Sequence, residues 1–152
     1  MSILRLGAGA GFQGDRIAPA VDLAERGKLD YLIFECLGER TIALAQQARS
    51  TDPTKGYDPL LERRMRAVLP ACVRNGTRIV TNMGAANPRA AAEKTRAVAR
   101  ELGLTGLRVA AVTGDDVVDQ VGEFVLDETG KPASELGDRL VSANAYIGID
   151  GL

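Results

Sequence analysis

The sequence alternates between short apolar runs and longer segments in which apolar residues recur at helical spacing. This alternation restricts the fold more than any other feature. The apolar runs cover residues 3–6, 30–36, 77–82 and 107–112, and the helical patterns cover 17–26, 39–49, 58–74 and 89–102. Strands joined through helices pair in parallel, with right-handed crossovers. We therefore predict an α/β fold with a Rossmann-like, doubly wound and mostly parallel sheet. Part of a β/α barrel is the alternative, because spacing alone does not separate the two.

The last third of the chain has a less regular pattern. A strand and turn are predicted at 124–130, and a fifth strand at 140–146. A further helix is expected to begin at residues 150–152. Since 152 residues are enough for one buried core, we predict a single α/β domain over residues 1–152.

Composition and charge exclude several classes of protein. With 45% hydrophobic and 26% charged residues, the chain has an ordinary globular composition. Its net charge of −1 argues against a nucleic-acid surface, and no apolar stretch is long enough to span a membrane. The N-terminus lacks the pattern of a signal peptide, and two distant cysteines are typical of a reducing compartment. We therefore expect a cytoplasmic protein that binds neither nucleic acid nor membranes.

The chain contains no histidine, which removes several catalytic mechanisms. No Ser–His–Asp or Cys–His pair can form, and neither can a zinc site that uses histidine. Proton transfer must therefore fall to Asp, Glu, Lys, Tyr or Cys. No metal site is predicted, although a Mg²⁺ ion held by Asp115 and Asp116 is left open.

A glycine-rich stretch lies between the first apolar run and the first helical pattern. Glycines at positions 7, 9, 11 and 14 allow positive φ angles and a close approach of a ligand to the backbone. The following helix offers free N–H groups to an anion, and Arg16 adds a permanent positive charge. Gly9, Gly11 and Gly14 match the spacing of dinucleotide-binding loops, and Glu35 has the offset of a ribose-binding acid. A tight turn without a ligand explains the same glycines equally well.

Polar side chains follow the predicted strands, at the ends where parallel α/β folds bind ligands. Glu35 ends the second run, Asn82 the third, Asp115 the fourth and Asn144 the fifth. We therefore predict that these groups converge on one rim of the sheet. Glu35 and Asp115 are the candidate catalytic residues. The candidate ligand-binding residues are Gly9, Gly11, Gly14, Asp15, Arg16, Asn82, Asn87, Asp116 and Asn144.

Structural roles compete with several of these assignments. Asn87 precedes a proline and suits a helix cap better than a ligand contact. Asp115 and Asp116 could equally cap a helix that begins near Val117. A carboxylate at the end of an apolar strand needs a partner, which favours a role in the site for Glu35. Three arginines, Arg63, Arg64 and Arg66, are interpreted as a solvated helix face, and two aromatic residues, Tyr31 and Phe34, as core.

Six segments carry a resemblance that runs along the whole chain. They are residues 11–16, 29–32, 35–41, 81–88, 112–116 and 142–148. In order and spacing they resemble the acyclic terpene utilisation (AtuA) family. The resemblance implies a place in bacterial gene clusters that degrade isoprenoid acids through CoA thioesters, beside biotin-dependent acyl-CoA carboxylases. It also implies further strands and helices, so we expect this chain to be the N-terminal part of a longer domain.

The resemblance and the polar rim lead to three functional hypotheses. The first is an enzyme, or a portion of one, acting on a small CoA-linked or carboxylate intermediate of terpenoid or branched-chain acid catabolism by hydratase or lyase chemistry. Its assigned roles are anion binding by Gly11, Gly14 and Arg16, carbonyl orientation by Asn82 and Asn87, and proton transfer by Glu35 or Asp115. The second is a nucleotide-binding domain for NAD or FAD. The third is a scaffold for acyl-CoA carboxylase subunits. We also expect a homo-oligomer, because an exposed sheet edge or apolar face would favour self-association.

Overall fold

The computed structural model describes residues 3–148, so the helix expected at 150–152 lies outside the described part of the chain. The described residues form four α-helices and five strands. The strands are β1 Leu6–Ala10, β2 Tyr31–Phe34, β3 Arg78–Thr81, β4 Val125–Leu126 and β5 Lys131–Pro132. The helices are α1 Ala18–Arg26, α2 Glu39–Thr51, α3 Leu61–Asn75 and α4 Pro88–Glu101. Short 3₁₀ segments cover Val118–Gln120 and Ala133–Arg139. None of the helices in the described range is long and apolar enough to cross a membrane.

The first three strands form a parallel sheet in the order β1-β2-β3. In this register Tyr31 lies between Leu6 and Arg78, and Ile33 lies between Ala8 and Val80. The prediction of an α/β fold with a parallel sheet is confirmed. Three strands in chain order occur both in one half of a doubly wound sheet and in an arc of a barrel. The Rossmann-like interpretation is therefore compatible with the structure, and so is its alternative.

Three helices form the core with one face of the sheet. α1 packs against β1 and α3, and α3 packs against α4. Leu32 and Phe34 of β2 point into this layer and are fully buried. Burial of side chains of this size contributes roughly 1.5–3 kcal/mol each. The Phe34 ring requires a glycine opposite it, because a Cβ on Gly9 would lie 2.6 Å from that ring.

The other face of the sheet is open and partly apolar, and Tyr31 and Arg78 lie on it in register with Leu6. Leu6 is 58% exposed, and its neighbour Ala8 on the same face is also exposed. Ile33 and Val80, which continue the row across β2 and β3, are only half-buried. This face carries no helix from the described residues, so a considerable apolar surface meets solvent.

The helix ends follow local signals closely. α4 begins after Asn87, whose Oδ1 accepts the amide of Ala90 at 3.2 Å, so the predicted cap is confirmed. α3 ends at Gly76, which takes the left-handed conformation with φ 70°. The helical pattern predicts the start of α3 at residue 58, which is too early. Asp58 instead turns the chain, accepting the amide of Leu60 at 2.6 Å, and α3 begins at Leu61.

The predicted fourth and fifth strands are wrong. Residues 107–112 form no strand, and no ladder joins them to β3 among the residues described. Leu107 packs on the core, and the carbonyl of Val109 accepts Nη2 of Arg96 at 2.7 Å. Within 140–146, one isolated bridge pairs Asn144 with Asp116. The predicted strand and turn at 124–130 do form, as the first strand of the β4–β5 hairpin and its turn.

Candidate functional site

The carboxyl ends of the three parallel strands are joined through Glu35 and Asn82. The amide of Glu35 donates to the carbonyl of Ala10 at the end of β1, at 3.1 Å. Nδ2 of Asn82, which follows β3, donates to Oε1 of Glu35 at 2.9 Å. Oδ1 of Asn82 accepts the amide of Cys36 at 2.7 Å. Both atoms of the Asn82 amide are thus fixed, and Asn82 is the partner expected for Glu35.

The Glu35 carboxylate is held on one side and open on the other. Oε1 accepts a second hydrogen bond from the amide of Leu37, at 3.0 Å. Oε2 accepts none from residues 3–148, and the side chain is exposed. An oriented carboxylate with one free oxygen at a strand end has the geometry of a proton acceptor.

The glycine loop donates its amides to a side chain of its own. Oδ2 of Asp15 accepts the amides of Gly11 at 2.6 Å and Phe12 at 3.2 Å. Gly14 is explained by packing, since a Cβ there would lie 2.5 Å from the Phe12 ring. None of the glycines at positions 7, 9, 11 and 14 uses the positive φ angle that glycine allows. Arg16 is exposed beside the loop, so its charge is accessible to an anion from solvent.

A buried arginine forms hydrogen bonds both to this loop and to Cys36, which follows the end of β2. Arg64, 1% exposed, donates through Nη2 to the carbonyls of Gln13 at 2.7 Å and Asp15 at 3.2 Å. Its Nη1 lies 3.2 Å from Oδ2 of Asp58 and 3.2 Å from Sγ of Cys36. The interpretation of Arg64 as part of a solvated face is therefore wrong, while Arg63 is exposed as expected. Helical spacing carried the signal, because Arg64 lies three residues after Leu61 and four before Val68 on the buried face of α3.

Burial controls the protonation of the groups around Arg64. It raises the pKa of the Asp58 carboxyl, against the opposing effects of the Leu60 amide and the Arg64 charge. It also raises the pKa of the Cys36 thiol to about 11, against the opposing charge of Arg64. Cys36 is therefore a protonated thiol near neutral pH and lacks the thiolate that nucleophilic chemistry needs.

A cavity of about 420 Å³ opens next to Asn82 and Cys36. This volume is in the range of sites for small ligands. α2 forms one wall, the 55–59 loop forms another, and the ends of β2 and β3 form the floor. The lining residues are Gln13, Cys36, Leu37, Thr41, Leu44, Ala45, Ala48, Lys55, Gly56, Tyr57, Asp58, Pro59, Glu62, Asn82, Met83, Ala85 and Lys94. Sequence reasoning missed the α2 wall, although Thr41, Ala45 and Ala48 have the spacing of one helix face.

The remaining predicted residues form a second group. Asn144 donates through Nδ2 to Oδ2 of Asp115 at 3.0 Å, while Oδ1 of Asn144 is buried without a partner in the described range. Oδ2 of Asp116 accepts Nε2 of Gln46 at 3.0 Å and Nη1 of Arg49 at 3.2 Å, both from α2. No hydrogen bond in the part of the chain described joins this group to Glu35 or Asn82. The structure thus assembles the rim from β1 to β3 and attaches the separate group of Asp115, Asp116 and Asn144 to α2 through Asp116.

Asn87 is engaged within the protein at both ends of its amide. Besides capping α4, it donates through Nδ2 to the carbonyls of Pro53 at 2.9 Å and Lys55 at 2.7 Å. The residue therefore holds the 52–57 loop against the start of α4, which shapes the cavity wall. Across residues 3–148, no group of three or more Cys, Asp or Glu side chains could hold a metal ion.

Residues 4–152 match the family model described as acyclic terpene utilisation family protein AtuA. The chain belongs to the AtuA family. The match covers nearly the whole chain, so the family resemblance of the rim segments is confirmed. Membership implies a role in acyclic terpene utilisation for this AtuA protein. Neither a curated protein nor a solved structure matches the chain.

Proposed function

We propose that this AtuA protein is an enzyme, or a portion of one, that acts on a CoA-linked or carboxylate intermediate of acyclic terpenoid or branched-chain acid catabolism. The reaction class is hydration or dehydration. The observation that carries the proposal is the Glu35–Asn82 pair: Glu35 is a fixed carboxylate with one free oxygen, and its partner Asn82 lines the cavity at the strand ends, whereas Glu35 itself does not. Ligands of parallel α/β folds bind at these ends.

Glu35 and Asn82 divide the chemistry between them. In dehydration, the free oxygen of Glu35 removes a proton from the carbon next to the substrate carbonyl. The same proton is returned to the β-hydroxyl group, which leaves as water while the double bond forms. Asn82 has two N–H donors and uses one on Glu35, so the other can donate to the carbonyl oxygen as negative charge develops there.

The glycine loop is proposed to hold the anionic part of the substrate. Arg16 would supply the positive charge, and Gly11 and Gly14 would form the part of the loop backbone that faces the anion. A phosphate or carboxylate would have to displace Asp15 from the amides of Gly11 and Phe12. Because Asp15 is half-buried rather than fully buried, its displacement into water is feasible.

Ligand-dependent stabilisation tests the proposal. We expect branched acyl-CoA thioesters to raise the Tm of the protein, and free CoA, NAD and FAD to raise it less. A ligand at a hundredfold excess over its Kd stabilises the folded state by about 2.7 kcal/mol, which thermal shift detects readily. The Arg16→Gln variant should weaken the thioester effect, because it removes the charge assigned to the anion site. A shift with NAD or FAD alone would instead support the nucleotide-binding alternative.

The open sheet face supports a second candidate, an association module. Ala8, Ile33 and Val80 form an apolar row, and Leu6 extends it beside Tyr31 and Arg78; this patch suits another apolar face such as that of a second copy. We expect sedimentation equilibrium to show a dimer that the Leu6→Lys variant converts to monomer. Phe124→Lys, at an exposed apolar position in the hairpin segment, is the control and should leave the dimer intact. A monomeric wild type, or a dimeric Leu6→Lys variant, would contradict this candidate.

A further inference from the structure

The hydrogen bonds of the buried Arg64 continue to the Glu35–Asn82 pair. One nitrogen of its guanidinium, Nη1, donates to Sγ of Cys36 at 3.2 Å. The backbone amide of the same cysteine donates to Oδ1 of Asn82 at 2.7 Å. Nδ2 of Asn82 in turn donates to Oε1 of Glu35 at 2.9 Å. A continuous series of contacts therefore leads from α3 to the candidate proton acceptor.

The other nitrogen of the guanidinium, Nη2, contacts the glycine loop. It donates to the carbonyls of Gln13 at 2.7 Å and Asp15 at 3.2 Å. A guanidinium is planar, and its donors keep fixed directions relative to one another. The loop carbonyls on Nη2 and the sulfur on Nη1 therefore cannot shift independently. Arg64 thus sets the position of the glycine loop relative to the end of β2.

Asp58 keeps the guanidinium in this orientation. Its Oδ2 lies 3.2 Å from Nη1, and its amide donates to the carbonyl of Met83 at 2.9 Å, one residue after Asn82. Arg64 is 1% exposed and Asp58 is 2% exposed, so water does not compete for these contacts. Arg64 does not line the cavity, so a ligand held there would not touch it.

We infer that Arg64 is a positioning residue, which fixes Asn82 and Glu35 relative to the glycine loop. The inference rests on the proposed function, because it concerns the proton transfer assigned to Glu35. If Arg64 only neutralised Asp58, any cation of similar length would serve at this position. Lysine supplies such a cation on a single nitrogen, so it cannot reproduce the separate contacts of Nη1 and Nη2.

Arg64→Lys tests the inference, and Arg63→Lys at the adjacent exposed position of α3 is the control. The side-chain amide of Asn82 is observed by NMR at a temperature where circular dichroism shows each variant to be folded, and Asn82→Asp assigns its signals. We expect Arg64→Lys to shift these signals and Arg63→Lys to leave them in place. A role in stability alone would lower the Tm without moving the signals of the folded protein.

The second measurement is exchange of the protons next to the carbonyl of isovaleryl-CoA in deuterated water. In Arg64→Lys, kcat should fall about tenfold to hundredfold while KM stays within about twofold, because a small displacement of a catalytic group costs this much in rate. Arg63→Lys should keep both constants of the wild type. A loss that appears in KM alone would assign Arg64 to ligand binding and overturn the inference.

Cys36→Ala keeps the test decisive if Arg64→Lys does not fold. It removes the sulfur that Arg64 contacts but leaves the backbone amide that donates to Asn82. The Asn82 signals and kcat should change in the same direction as in Arg64→Lys. Cys72→Ala is the matched control, because Cys72 is also a buried free cysteine, and it should behave like the wild type.

Unchanged Asn82 signals in Arg64→Lys and Cys36→Ala, or equal changes in their controls, overturn the inference. Failure of the proposed function gives a different pattern. Glu35→Gln would then leave exchange unchanged, while the Asn82 signals would still depend on Arg64.

Discussion

Replacing Arg64 with methionine is expected to lower the free energy of unfolding by about 3–5 kcal/mol, which is a large part of the 5–15 kcal/mol typical of a whole domain. The substitution removes the positive charge beside Asp58, a carboxylate that is only 2% exposed. It also leaves the carbonyls of Gln13 and Asp15 without their donor. Urea unfolding followed by circular dichroism measures the effect.

Arg63→Met is the matched control, because Arg63 is the adjacent residue on α3 and is exposed. It should change the free energy of unfolding by less than about 0.5 kcal/mol. In the double variant Arg64→Met/Asp58→Asn, the loss should be smaller than the sum of the single losses, since no uncompensated charge remains buried. If Arg64→Met is as stable as the control, the buried Arg64–Asp58 pair does not stabilise the glycine loop.

Glu35→Gln is expected to reduce turnover by roughly 10²–10⁴-fold, the usual contribution of a positioned general base. Glutamine keeps an oxygen for the amides of Asn82 and Leu37, so the fold should be preserved, but its amide cannot accept the proton. Exchange of the protons next to the carbonyl of a branched acyl-CoA in deuterated water, followed by NMR, measures the step directly. Ligand binding by thermal shift should remain close to that of the wild type.

The control for this variant is Glu25→Gln, an exposed position on α1 at the far side of the molecule. It should leave both exchange and binding unchanged. If Glu35→Gln loses binding while exchange continues, Glu35 holds the ligand and another group moves the proton. Asn82→Ala should weaken exchange as well, since it removes both the Glu35 contact and the remaining donor.

Elements that depend on neighbours within a few residues were predictable. The four helical patterns lie where the helices form, Gly76 ends α3, and Asn87 caps α4 because its side chain reaches an amide three residues along. The pairing of Glu35 with Asn82 was also within reach. Both follow apolar strands, and parallel strands bring their carboxyl ends together at one edge.

At residues 107–112 the local sequence pattern does not predict the structure. The run is apolar enough for a strand, but a strand also has to reach a sheet edge and pair with it, and in the described residues the outer edge of β3 stays unpaired. In the structure Arg96 of α4 donates a hydrogen bond to the carbonyl of Val109, and no strand pairing forms there within the described residues. The predicted single rim consequently separates into the β1–β3 ends and the group around Asp115.

By itself, the sequence determined the helices, the three parallel strands and the family, because periodicity, caps and motifs act over short stretches of chain. Only the tertiary structure decided that Arg64 meets Asp58 and the carbonyl of Gln13, that Asp15 accepts the amides of the glycine loop, and that α2 lines a cavity beside Asn82. The physical reason is desolvation. Whether a charged or polar group costs or contributes free energy depends on which distant partners share its buried space, and spacing along the chain does not specify those partners.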